Sequence, residues 1–191
     1  MITLSLSRAR TARIWLGELP SAIYEGDSTI QAVLEARTAS LNSARVVAVE
    51  MKQHRGGRML YGLVGGAMIP NHSSKLSVSV QTSTSIHHPF PNSLMTPANP
   101  NTGFPQNKDV FTGMLEQYAH GVISGVHRAS DQLTSLYAGD LVVNCGAYHI
   151  HESAQAFFAH ISNIVVRIMN LDEDLPSEEE LAGMIEIIDA P

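Results

Sequence analysis

The sequence predicts an α+β fold in which helices pack against a largely antiparallel or mixed sheet. Leu76–Val80 alternates apolar residues with serines, which is the pattern of a strand with one buried face. Residues 45–51 are rich in β-branched side chains and predict a buried strand. Apolar residues at helical spacing in Glu152–Met169 predict a helix that belongs to the core. A chain of 191 residues can bury a sizeable core, so we assign 1–191 to a single domain.

Other segments carry weaker signals for regular structure. Thr11–Glu25 predicts a helix with a broad apolar stripe, although Pro20 lies inside it. The region 29–41 predicts a strand from irregularly spaced apolar residues, and 59–69 is an apolar run that follows a basic turn. Asp109–Val126 predicts another helix, whose glycines indicate close packing against a neighbouring element.

Two stretches have the composition of connecting or terminal segments. Residues 84–108 are rich in proline and asparagine and predict a long loop, and loops of that length in compact domains are usually functional or disordered. Residues 172–191 form an acidic tail, in which Ser177–Glu180 marks the start of a helix.

The composition predicts a cytoplasmic protein that binds neither membranes nor nucleic acids. The formal net charge of −6 disfavours a general nucleic-acid groove. No apolar run reaches the roughly 18 residues that a membrane helix needs, and the first residues lack the apolar core of a signal peptide. Cys145 is the single cysteine, which excludes an internal disulfide and fits a reducing compartment.

The segment Gly139–His151 is the strongest candidate for a functional site, because it reads as a turn, a buried strand and then two histidines. In an extended segment alternate side chains share a face, so His149 and His151 are predicted to point the same way while Ile150 enters the core. Two polar side chains on the same face at the end of a buried strand are typical of a binding site, so we predict that they form its floor. Two other interpretations stay open, namely half-buried histidines bonded to backbone, or a metal site completed by Glu152 and by His87, His88 or His127.

Short blocks of the chain match a known family in the family's own order. Leu136–Val142 reads LYAGDLV and leads at unbroken spacing to Gly146–His151, which reads GAYHIH. These blocks resemble the thymidylate synthase family, in which a helix is followed by PGDFV and then by GDAHIY. The match touches about two-thirds of the chain through three further blocks: GFPQN at Gly103–Asn107 is similar to GLPFN, LSVSVQTS at Leu76–Ser83 is similar to LSLQMYQRS, and Thr11–Leu16 with Tyr24–Gly26 is similar to the amino-terminal helix.

The resemblance implies a thymidylate-synthase-like fold, a homodimer and a site for a pyrimidine nucleotide such as dUMP or dCMP. Asn107 would face the uracil edge, because an amide offers both a donor and an acceptor. His149 would reach the ribose hydroxyl, and His151 stands where the family has a tyrosine with the same role. Ser83 matches a serine that contacts the phosphate, and Gln81 matches a glutamine of the same strand.

The chain departs from the family at residues on which catalysis depends. The nucleophilic cysteine would fall within Met59–Val64, which contains none, and Cys145 lies on a different strand. Thr82 replaces the phosphate-binding arginine, and Ser85 replaces an aspartate. Tyrosine or serine would replace the thiolate only beside an activating base, so the missing cysteine argues against activity.

Positive charge for the phosphate could come from another part of the chain. Arg58 ends the basic turn Arg55–Arg58, and guanidinium groups suit phosphate oxygens. Arg45 is a second candidate for the same role.

Three functions follow from these observations. The first is a divergent thymidylate-synthase-like protein that binds a pyrimidine nucleotide and, if it is catalytic, transfers a methyl or hydroxymethyl group to C5 with a folate. The second is a non-catalytic descendant, a pseudoenzyme with a binding, assembly or structural role. The third is a histidine-dependent metal enzyme unrelated to that family.

Overall fold

A computed structural model describes residues 1–7, 9–84, 88–96, 109–171 and 176–187. In these residues the chain forms eight strands and three helices. The strands are β1 (Ile2–Leu6), β2 (Arg10–Leu16), β3 (Ser28–Glu35), β4 (Arg45–Arg55), β5 (Arg58–Ile69), β6 (Lys75–Thr82), β7 (Val110–Thr112) and β8 (Gly139–His149). The helices are α1 (Glu116–Gln132), α2 (Gln155–Met169) and α3 (Glu178–Ile187).

The strands form one mixed sheet in the order β1-β2-β4-β5-β8-β6-β3, and β7 pairs with the last residues of β8. Neighbouring strands in the described residues are antiparallel, except that β6 and β8 run parallel. The predicted α+β class with a mixed sheet packed by helices is therefore confirmed, whereas the thymidylate-synthase-like assignment stays a prediction.

Helices α1 and α2 pack side by side on one face of the sheet, which we call the helix face. Helix α1 lies against β3 and β6, and α2 lies against β4 and β5. The two helices run in the same direction, because Gly121 of α1 meets the carbonyl of Gln155 and Gly125 meets that of Ala159 one turn later. The close packing that these glycines predicted is thus confirmed.

The opposite face of the sheet is covered by segments 17–27 and 88–96, and we call it the loop-covered face. Its buried residues form a second apolar cluster, separate from the core under the helices. The cluster consists of Trp15, Ala22, Ala48, Tyr61, Leu63, Phe90, Leu94, Val110, Cys145 and Ala147. The candidate site adjoins this cluster.

A β-bulge in β8 decides which face the end of this strand presents. Pairing with β5 passes from Val143 directly to Cys145, so Asn144 is skipped. Before the bulge Val143 packs in the core of the helix face, and after it Cys145 packs in the loop-covered cluster. Val110 belongs to that cluster as well and pairs with His149, so His149 points to the loop-covered face.

Most of the strand and helix predictions are confirmed. Strands cover the predicted segments 45–51 and 76–80 and most of 29–41, and the apolar run 59–69 is almost all of β5. Helices begin at Gln155 and at Glu178, close to the predicted starts. Of the predicted loop 84–108, the described residues contain no helix or named strand. No helix in the described part of the chain is long and apolar enough to cross a membrane.

The helix predicted for Thr11–Glu25 is wrong. Residues 10–16 form β2. Ala12 and Ile14 of this strand are completely buried and point to the same face of the sheet. Arg13 and Trp15 point to the loop-covered face, so the segment has the two-residue period of a strand. The apolar stripe that suggested a helix combined residues of this strand with residues of the loop that follows it.

The helix predicted for Asp109–Val126 begins later than expected. Val110–Thr112 pairs with the end of β8 as β7, and α1 starts only at Glu116. Phe111, which falls within the predicted helix, lies in this strand instead, and its ring packs against that of Tyr148 of β8 with 6.2 Å between the ring centroids. A three-residue strand carries too few residues to show its period in the sequence.

Candidate functional site

The turn after β8 holds the imidazole of His149 in one orientation. Its Nδ1 accepts hydrogen bonds from the backbone amides of His151, at 3.1 Å, and Glu152, at 3.2 Å. The backbone amide of His149 donates to the hydroxyl of Ser153 at 2.9 Å, and that hydroxyl donates to the carbonyl of Tyr61 at 2.8 Å. Because Nδ1 is an acceptor, the neutral ring carries its proton on Nε2.

The surroundings of His149 favour the neutral ring. The residue is only 7 % exposed, and this burial lowers the pKa of the imidazole. The charges of Asp109 and Glu152 oppose that shift, and His151 adds to it, but burial has the largest effect. Among the described residues Nε2 has no hydrogen-bond partner. The Nε2–H of the neutral ring is therefore a donor without a hydrogen-bond partner in the described part of the chain.

His151 lies beside this ring, but the predicted geometry of the segment is partly wrong. The two imidazole centroids are 6.1 Å apart. Ile150 does not enter the core, since it is 48 % exposed. The reason is that the strand ends at His149, and the amide of Ile150 donates to the carbonyl of Asp109 at 3.0 Å in the turn that follows. The histidines are neighbours because of this turn and not because of strand alternation.

The basic turn that contains Arg58 lies at the same end of the sheet. Gly56 and Gly57 connect β4 to β5 with φ angles of +57° and +80°, so the turn is a two-residue hairpin of the kind that glycine favours. The amide of Tyr61, three residues beyond Arg58, donates to the carbonyl of Glu152 at 2.8 Å. This bond ties the start of β5 to the histidine turn. Arg58 is exposed at the start of the same strand, but it has the parity of Gly62, which meets α2, so it points to the helix face and not to the face that His149 presents.

Gln81 and Ser83 lie apart from the histidines. The side-chain oxygen of Gln81 accepts the amide of Gly26 at 3.1 Å, which fixes segment 17–27 to the sheet. The amide of Ser83 donates to the carbonyl of Met114 at 3.0 Å, whereas His149 pairs with Val110. The extended segment between residues 110 and 114 therefore separates Ser83 from His149.

The remaining candidate residues fall outside this site. Asn107, which the resemblance places at the uracil edge, lies outside the described residues, as do Ser85 and His87. Arg45 donates to the carbonyls of Met169, at 3.0 Å, and Leu171 at the end of α2, so it caps that helix. Among the described residues no three His, Cys, Asp or Glu side chains are arranged to hold a metal ion.

Cys145 is completely buried in the loop-covered cluster. Its thiol lies 3.9 Å from the carbonyl of Pro20, and burial raises its pKa to about 12. A thiol with this pKa is protonated near neutral pH, and the thiolate is the nucleophilic form. Cys145 is therefore not a candidate for the nucleophile that the family resemblance would require.

A buried carboxylate on β4 was not singled out by the sequence. Glu50 is completely buried and accepts hydrogen bonds from the hydroxyl of Tyr61 at 2.8 Å and the amide of Leu94 at 2.7 Å. Arg13 lies 3.4 Å from its other oxygen. Burial raises the pKa of Glu50, although these three partners lower it. A single charge inside the apolar run 46–51 was the signal that could have revealed this network, which fastens segment 88–96 to the sheet.

No family model, curated protein or solved structure matches this chain. At the end of β8 an oriented donor, His149, lies beside a second histidine, His151, and Arg58 is exposed at the same end of the sheet on its other face. These residues carry the functional inference.

Proposed function

We propose that this chain is a thymidylate-synthase-like protein that binds a pyrimidine nucleotide at the end of β8. The observation that supports the proposal is the locked imidazole of His149, whose Nδ1 is occupied by two backbone amides. The ring offers an Nε2–H donor, and a ribose hydroxyl oxygen is an acceptor for such a group. This is the role that the resemblance gives to His149.

In this proposal the phosphate reaches around the end of the sheet, because the nearby hairpin arginines lie on the helix face and His149 on the loop-covered face. A neutral histidine needs no anionic partner, so it fits the uncharged sugar, while the phosphate requires cations. Arg58 and the neighbouring Arg55 are exposed on the hairpin, and arginine pairs with phosphate oxygens through two parallel hydrogen bonds. In this proposal His151 assists at the sugar and Asn107 reads the base. Ser83 and Gln81 are given supporting roles, because they lie apart from His149.

Binding without C5 chemistry is the form of the proposal that the residues favour. One-carbon transfer to C5 with a folate would require a nucleophile that adds to C6 of the base. The single cysteine of the chain is buried, and its thiol has a pKa of about 12. We therefore favour a non-catalytic binding protein over a methyl- or hydroxymethyltransferase. The cytoplasmic setting and the homodimer belong to the same proposal.

Calorimetry with dUMP and dCMP tests the proposal, and two substitutions of His149 isolate the donor. In His149→Asn, the side-chain oxygen can take the place of Nδ1 toward the two amides, but the Nε2–H donor is lost. We expect this variant to keep its fold and to bind dUMP about tenfold more weakly, since one hydrogen bond is worth roughly 1.4 kcal/mol. His149→Gln offers a donor near the position of Nε2 and should retain more of the affinity.

His72→Asn is the matched control, because His72 is exposed in the loop between β5 and β6. It should bind the nucleotide as the native protein does. The proposal is overturned if the native protein shows no binding at millimolar nucleotide, or if His149→Asn binds as tightly as His72→Asn.

The histidine-dependent metal enzyme is separated from this proposal by elemental analysis of the purified protein. Stoichiometric metal that is lost on His149→Asn substitution would favour the metal enzyme. A metal-free protein that binds dUMP would favour the nucleotide site.

A further inference from the structure

Strand β3 is a free edge of the sheet. All eight of its residues pair in unbroken register with β6, from Ser28 opposite Thr82 to Glu35 opposite Lys75. Among the described residues β3 pairs with no other strand. The sheet's other edge differs, because α3 lies against β1. β3 thus presents a row of backbone groups without a strand partner along one side.

This edge lacks the devices that usually prevent strands from pairing between molecules. Natural edge strands carry proline, lysine, bulges or inward-pointing charges. β3 reads STIQAVLE, with no proline or glycine, no bulge, and one charged residue at its end. Val33 is 60 % exposed on this strand, an unusual position for a large apolar side chain. A long, regular and nearly uncharged edge is a template for another strand.

We propose that β3 pairs antiparallel with β3 of a second copy, so that one sheet runs through a homodimer. Opposite residues in an antiparallel pair share a face. A two-fold axis perpendicular to the sheet therefore places one residue of β3 opposite its own copy. Centring the pair on Ala32 puts Ile30 opposite Leu34 of the second copy on the helix face. Both are apolar, and both already pack at the edge of the core.

The side chains of β3 favour this register and favour a second copy, because the strand's own large apolar residues match each other across the axis and its one charged residue meets no like charge there. With Ala32 at the axis, Glu35 lies opposite Thr29 of the second copy, so the two Glu35 carboxylates do not face each other. Each Glu35 keeps its ion pair with Lys75 of its own chain, at 3.3 Å. Moving the axis to Val33 would oppose Glu35 to Gln31, and moving it to Gln31 would oppose Leu34 to Ser28. The Ala32 register is the one of the three that opposes the two large apolar residues, Ile30 and Leu34, to each other on the helix face, whereas the other two oppose one of them to Ala32.

This interface does not depend on the nucleotide proposal. The predicted homodimer follows from the family resemblance, whereas the β3 pairing follows from the edge itself. A protein that dimerises through β3 without binding dUMP would support one proposal and contradict the other.

Two lysines on β3 test the interface by light scattering of the full chain. Gln31 and Val33 are exposed and lie opposite each other across the proposed axis. The double variant Gln31→Lys with Val33→Lys opposes lysine to lysine twice, so we expect a native dimer to become a monomer with an unchanged circular dichroism spectrum. Thr3→Lys with Ser5→Lys is the matched control on β1, where both residues are exposed. It should remain a dimer.

Disulfide trapping then tests the register. Opposite Cα atoms in antiparallel strands are about 4.5–5.5 Å apart, a separation that a disulfide can span. Under mild oxidation by a copper–phenanthroline reagent, Ala32→Cys should form a covalent dimer and Val33→Cys should not. The native Cys145 is buried and does not compete.

Three results would overturn the proposal. They are a native chain that stays monomeric at every concentration tested, a dimer that survives the lysines on β3, and cross-linking that is as efficient at residue 33 as at residue 32.

Discussion

A methyl group at Gly125 would have no room between α1 and α2. A Cβ atom built there lies 2.1 Å from the carbonyl oxygen of Ala159 and 2.0 Å from the hydroxyl oxygen of Ser162. Unstrained contacts between such atoms need about 3.5 Å. The hydroxyl can rotate away, but the carbonyl belongs to the backbone of α2. We therefore expect Gly125→Ala to push the two helices apart by roughly 1 Å.

The loss of stability follows from three contributions. Overpacking of a tight contact costs about 1–3 kcal/mol, and an obstacle made of backbone places this site at the upper end. Rotating Ser162 breaks its hydrogen bond to the carbonyl of Val122, at 3.0 Å, which costs about 1 kcal/mol. Alanine is a better helix former than glycine by about 1 kcal/mol, which offsets part of the loss. The net decrease in the free energy of unfolding is about 2–3 kcal/mol.

Urea denaturation measures this decrease, and Gly183→Ala is its matched control. Gly183 lies in α3, and a Cβ there meets nothing within 4 Å. The same substitution should therefore stabilise the protein by a few tenths to 1 kcal/mol through helix propensity alone. Equal stability of Gly125→Ala and the native protein would refute the close packing of α1 on α2.

Three further outcomes are expected. The pKa of His160 is lowered to about 4 by burial and by the charges of Arg10, Arg128 and Arg55, so the unfolded chain binds the proton first. The free energy of unfolding should therefore fall by roughly 3 kcal/mol as the pH drops from about 6.5 to about 4, and by less in His160→Gln. Denaturation curves that show the same loss in both proteins would contradict a role for His160. Glu50→Ala leaves two buried donors and Arg13 without their acceptor, so the free energy of unfolding in urea should fall by about 3–5 kcal/mol. Glu50→Gln keeps an acceptor and should lower it by less. A larger loss in Glu50→Gln than in Glu50→Ala would be inconsistent with the network. Cys145 should react with a thiol reagent only after unfolding, and rapid reaction of the folded protein would show that the thiol is accessible.

The sequence predicts those elements whose period is long and unbroken. The alternation in β6 and the apolar repeat in α2 each continue through several periods. Burial of one face is therefore visible in the sequence of each element. β2 shows alternation as well, but Trp15 on the loop-covered face is apolar like Ile14 on the opposite face. When both faces of a strand are buried, its period is obscured, and the helix prediction followed from that.

The candidate site was predictable in its composition and not in its geometry. The two histidines could be identified because they end a buried strand. The face they present depends on the bulge at Asn144, and a skipped residue leaves no mark in an apolar run. The orientation of the His149 ring is fixed by backbone amides of the turn. Because every residue type except proline has such an amide, this contact leaves no sign in the sequence. The network around Glu50 could not be predicted, because its partners Tyr61 and Leu94 come from segments that meet only in the folded chain.

The most direct test of the nucleotide proposal is the imidazole nitrogen spectrum of His149 while dUMP is added. A two-bond proton–nitrogen correlation spectrum distinguishes the two neutral tautomers from the charged ring. Near neutral pH we predict a neutral His149 with its proton on Nε2, and a saturable shift of the Nε2 resonance as dUMP binds. A proton on Nδ1, a charged ring, or a resonance that stays unchanged at millimolar dUMP would contradict the account.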